Sequence, residues 1–155
     1  VRPFSRRKIV LIKFAAILTV LFALAGGCWL MLAAGVTLAR LPIGLGKLAA
    51  MALNLLLLGA FFASLGLALG SLTGKVNAAT SLTVAAVGLS FLLFAVSHLG
   101  GLWAPLRIFS PFYYYYGGDP LLHGLNGGYV AVLAGAAALF VALAVSAFNR
   151  RDLAL

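Results

Sequence analysis

Four stretches of the chain contain no charged residue: Phe14 to Val36, Leu48 to Gly70, Ala78 to Val96, and Gly128 to Phe148. They run for 23, 23, 19 and 21 residues. A helix needs about 20 apolar residues to cross the hydrocarbon of a bilayer. Backbone groups in lipid must bond one another, so runs of this kind are expected as helices. A chain that is 65% hydrophobic and 8% charged over 155 residues cannot hide its apolar surface in a soluble core. The expected fold is therefore all-α integral membrane: a single transmembrane domain over residues 1–155, with four transmembrane helices.

Eleven Lys and Arg oppose two acids, Asp119 and Asp152. The basic residues lie between the apolar runs, which points to membrane topology rather than nucleic-acid binding. Arg2, Arg6, Arg7, Lys8 and Lys13 precede or open the first run. Lys75 follows the second, and Arg150 and Arg151 follow the fourth. Arg40, Lys47 and Arg107 fall in the alternate connections. The positive-inside rule then puts both termini in the cytoplasm. Cys28, alone within an apolar run, implies no disulfide. The chain opens on Val1, and its first apolar run is too long for a signal-peptide core. An upstream part is therefore expected.

Several local features invite a functional reading. Gly59, Ala63, Gly66 and Gly70 share one helix face and let backbones approach closely. Packing within the bundle is preferred over a dedicated dimer face. Asn54 is the one amide inside a span. It is read as an inter-helix hydrogen bond, with a place on a translocation path as the alternative. "GSLTGKV" (Gly70 to Val76) imitates a phosphate loop but lacks its spacing and the Ser or Thr after lysine, so a short turn is expected. Asp119 and His123 stand four apart and could form an acid–base pair on a helix. The preferred reading makes Asp119 a helix cap and leaves His123 in water. No cofactor or metal motif is present.

The stretch "SPFYYYYGGDP" (Ser110 to Pro120) is the most distinctive. Ser110-Pro111 and Asp119-Pro120 each read as an N-cap followed by a first-turn proline. Two short helices are expected, Pro111 to Tyr116 and Pro120 to His123, separated by Gly117-Gly118 and closed by Gly124. Tyr113, Tyr114, Tyr115 and Tyr116 suit the membrane–water boundary, with Trp103, Phe109, Phe112 and Tyr129 in the same layer. The pair is expected as re-entrant or interfacial helices on the outer side, with one or two rings facing protein.

Three blocks resemble the permeases of ABC-2 type transporters. "RPFSRRKIVLIKF" (Arg2 to Phe14) is similar to the segment that leads from the coupling helix into their third span. "SPFYYYYGGDPLLHGL" (Ser110 to Leu125) is similar to their outer loop, and "FNRRDL" (Phe148 to Leu153) to their cytoplasmic ending. The resemblance implies a six-span subunit of which this chain holds the last four spans. It implies a prokaryotic plasma-membrane exporter, a separate ABC ATPase subunit, and a second permease subunit, identical or not. It makes Arg2, Pro3, Ser5, Arg6 and Arg7 candidates for coupling to the ATPase; lipid anchoring is their plainer role. The rival readings are a non-transporting membrane scaffold and a membrane enzyme built on Asp119 and His123.

Overall fold

A computed structural model describes residues 6–150. It is all-α, with no strand among the described residues. Four helices are long and apolar enough to cross a membrane: α1 (Arg6–Leu38), α2 (Leu45–Thr73), α3 (Val76–Ser97) and α6 (Gly127–Arg150). Between α3 and α6 lie a 3-10 segment (Gly101–Phe109) and two short helices, α4 (Pro111–Tyr116) and α5 (Pro120–His123). This is the build of a multi-pass membrane protein.

Each long helix overruns the uncharged stretch that predicted it. α1 starts at Arg6 rather than Phe14, because Arg and Lys are good helix formers and charge limits a span, not a helix. At 33 residues α1 extends about 50 Å, well beyond a hydrocarbon core of about 30 Å. α2 ends at Gly74, whose φ of 67° is left-handed and whose N–H donates to Gly70 O at 2.9 Å. Only glycine takes that conformation freely. Gly74 and Lys75 alone join α2 to α3, so the phosphate-loop look-alike is a helix C-cap and turn.

Short connections make α1, α2 and α3 run antiparallel in succession. α6 therefore runs parallel to α2, since the 3-10 segment, α4 and α5 fold back at the end where α3 finishes. α2 is central: it packs on α1, α3 and α6. The α2–α6 seam holds Phe61 edge-on to Phe140 at 5.4 Å. Val10 of α1, Ala68 of α2 and Ala144 of α6 meet in one buried cluster. Small side chains at this junction let three helices converge, as expected where packing drives association. The outward faces are apolar: Phe22 is 71% exposed and Met31 79%. Such surface belongs against lipid or another apolar partner.

The four small residues of α2 divide their contacts. A Cβ on Gly59 would lie 2.9 Å from Leu21 Cδ2 of α1. A Cβ on Gly66 would lie 3.2 Å from Thr83 Oγ1, and one on Gly70 3.7 Å from Ala79 Cβ, both in α3. Ala63 lines the cleft between those helices. Their shared face seats two neighbours of the same chain.

Candidate functional site

The tyrosine end of the bundle is built from the chain that returns after α3. Gly100 and Gly101 turn it with φ of 76° and 59°. The 3-10 segment then runs back alongside α3. Pro105 within it rules out a regular α-helix there. The return reaches its deepest point at Ser110, which is 0% exposed and donates from Oγ to Ser90 O at 2.7 Å. Ser90 lies two turns below the end of α3, about 10 Å along its axis. The segment is thus re-entrant in form: it descends, pins itself to α3, and climbs back as α4.

Phe112 is sunk at the same depth. Its ring lies 5.9 Å from Phe62 of α2 and 5.6 Å from Phe91 of α3, wedged between the two helices. It does not share the boundary layer expected for it; α4 rises from there. Tyr113 meets Tyr129 of α6 through a hydroxyl pair at 3.2 Å, and Arg107 lies 5.2 Å over the Tyr113 ring. Tyr114 donates to Ile108 O at 3.0 Å. Tyr115 is buried; burial, and to a lesser degree Tyr116 beside it, raises its phenol above the ordinary value of 10.0. It stays neutral at physiological pH. Tyr116 is exposed and stacks on Phe94 at 5.4 Å. So one ring of the four faces inward, two are half-covered, and one faces out.

The boundaries of α4 and α5 fall where the sequence puts them, but their caps differ. Neither Ser110 nor Asp119 makes a side-chain cap. The Ser110 hydroxyl is committed to Ser90. Asp119 takes a left-handed backbone, φ 41° and ψ 65°, instead of the extended conformation of an N-cap. Its carboxylate is turned from the amides, and its backbone carbonyl accepts from Leu122 and His123 N–H instead, at 2.8 and 2.9 Å. The first-turn prolines Pro111 and Pro120, both buried, open the two helices. The cap that does form is Asn126, whose Oδ1 accepts from Gly128 and Tyr129 N–H at 3.0 and 3.4 Å and starts α6. Sequence reading missed it, although Asn before Gly-Gly and an apolar run carries that signal. The glycine pair is needed for close approach: a Cβ on Gly117 would sit 2.6 Å from Tyr113 O, and one on Gly118 3.1 Å from Asn126 Cβ.

Asp119 and His123 do not form an ion pair. Asp119 borders a cavity of about 460 Å³ with Ser97, His98, Arg107 and Tyr116. His123 borders another, against the start of α2 at Lys47 and Ala50. The single turn of α5, entered from a left-handed residue, sends the two side chains apart. In the first cavity His98 is held by Nδ1, which donates to Phe94 O at 2.8 Å. Asn54 is 4% exposed but makes no inter-helix hydrogen bond. Its amide keeps a little accessible surface, since no fully buried side-chain N or O among the described residues lacks a partner.

At the opposite end stand Arg7, Lys8 and Lys13 of α1, all exposed, with Lys75 in the α2–α3 turn. Arg2, Pro3 and Ser5 lie outside the described residues, as does the Arg6 side chain. No known protein family, curated protein or solved structure matches the chain.

Proposed function

We propose that the chain is the membrane-spanning permease part of an ATP-driven exporter of the ABC-2 type, in a prokaryotic plasma membrane. The observation that carries this reading is the return segment ahead of the last span, pinned by Ser110 beside Ser90. Helical membrane proteins tolerate non-helical backbone at depth only where protein or a water-filled cavity covers it. Building such a segment has a cost, and a gate or path at the outer end is its natural use. The sequence "RPFSRRK" at the other end adds support through its resemblance to the coupling side of these permeases.

In this reading a separate ATPase dimer binds and hydrolyses ATP beneath the basic end. Its closure biases the permease between two packings, and a second permease subunit completes the path. Arg6 and Arg7 meet the ATPase, while the tyrosine segment faces outward. When the full natural chain is purified in mild detergent, a P-loop ATPase should accompany it. Reversing both charges (Arg6→Glu with Arg7→Glu) should lower ATPase recovery roughly tenfold, since like charges across an interface cost several kcal/mol. Membrane insertion should persist. Undiminished recovery would remove these residues from coupling, and no ATPase with the native chain would remove the exporter reading itself.

A further inference from the structure

A groove of about 660 Å³ opens at the basic end, between α1 and α3 over the face of α2. Phe148 of α6 closes part of it, so four helices contribute. Its walls are apolar, with Ile9 and Ile17 from α1, Phe62 and Leu67 from α2, and Val84 from α3. Three hydroxyls also line it, but each donates to a carbonyl of its own helix: Ser71 to Leu67, Thr80 to Val76, Thr83 to Ala79. The groove therefore offers no free O–H. From Gly74 at its mouth to Phe62 at its floor, α2 rises about 18 Å. One leaflet of hydrocarbon is about 15 Å deep.

Lys13 is the one charged residue in the lining. It enters the groove about 10 Å from the start of α1, a depth from which a lysine stem reaches the headgroup layer. Lys8 lies nearer that start, and Lys75 sits between Gly74 and Val76 at the mouth. Among the described residues the sole acid is Asp119, at the far end of the bundle, so no described carboxylate pairs with these cations.

We propose that the groove is a site for one anionic phospholipid of the leaflet at the basic end. One acyl chain lies along α2 between α1 and α3, and the headgroup phosphate meets the Lys13 ammonium. Depth selects a chain of single-leaflet length, and the Lys13 ammonium in the lining selects a headgroup of net negative charge. A zwitterionic headgroup would bring its own ammonium against Lys13. The site does not depend on the exporter reading.

The test uses the full natural chain in nanodiscs and measures retention of spin-labelled phosphatidylglycerol against phosphatidylethanolamine. The native chain should retain the anionic lipid about fivefold better, the scale of one lysine at a membrane surface. Lys13→Gln should abolish that preference. Thr80→Trp, which fills the groove from an exposed position on α3, should release both lipids with Lys13 intact. Lys8→Gln, at the same end but outside the lining, should keep the preference. Equal retention of the two lipids by the native chain would overturn the site, whether or not a variant folds. So would loss of preference in Lys8→Gln equal to that in Lys13→Gln, or unchanged retention in Thr80→Trp. Disulfide-linked dimers of Thr80→Cys in a Cys28→Ala background in the membrane would assign the groove to a second copy of the chain instead.

Discussion

Ser110→Asp should expel the return segment from the bundle. Ser110 is 0% exposed, and its hydroxyl has one partner, the Ser90 carbonyl at 2.7 Å. A carboxylate of similar size can only accept, so two acceptors would face each other. It would also be an unpaired charge in an apolar site, at a cost of about 3 kcal/mol or more. The segment escapes that cost by swinging out, which draws Phe112 from between Phe62 and Phe91. With Phe112→Cys as a reporter in a Cys28→Ala background, a membrane-impermeant maleimide should label slowly in the parent and rapidly in Ser110→Asp. Ser110→Ala removes only the hydrogen bond and should cost about 1 kcal/mol, with little change in labelling. Equal labelling rates for the Asp and parent proteins would mean that Ser110 does not hold the segment.

Ala144→Phe should be the most damaging change in the spans. Ala144 is 0% exposed and meets Val10 of α1 and Ala68 of α2. A phenyl ring there has no space unless α6 moves away from both helices. Overpacking of this kind costs about 1–3 kcal/mol, and a junction of three helices favours the upper end. The thermal midpoint in detergent should fall and Phe140 should lose its edge contact with Phe61. Leu139→Phe, at an exposed position on the same helix, is the control and should leave the midpoint in place. Equal midpoints for the two variants would contradict the packing described.

The spans were legible because charge and apolar length act over many residues at once. The short helices were legible because Pro111, Pro120 and the Gly117-Gly118 pair punctuate locally, and proline fixes its own φ wherever the chain goes. What the sequence withheld were the partners of side chains. Ser110 has the residue type of a cap, but a carbonyl of α3, twenty positions earlier, takes its proton. Asp119 has the residue type too, but its left-handed backbone aims the carboxylate elsewhere. Asn54 sits in a span without the bond that its chemistry invites. The 3-10 segment was not foreseen because Gly101 to Phe109 lacks a cap signal and Pro105 argues against an α-helix. Phe112 was placed with the boundary aromatics because composition carries no depth, whereas contact with Phe62 and Phe91 fixes it.

The central claim is that a four-span bundle carries its tyrosine segment on the outer face and its basic end in the cytoplasm. Side-specific cysteine labelling in intact cells tests it most directly, in a Cys28→Ala background because Cys28 is free and exposed. Tyr116, replaced in Tyr116→Cys, is 50% exposed beside the Asp119 cavity, and Lys75, replaced in Lys75→Cys, sits in the α2–α3 turn at the other end. An impermeant maleimide should label Tyr116→Cys in intact cells and Lys75→Cys only after the membrane is opened. Labelling of both from the same side would contradict the four-span bundle. Labelling of Lys75→Cys alone would invert its orientation and remove the outward role of the tyrosines.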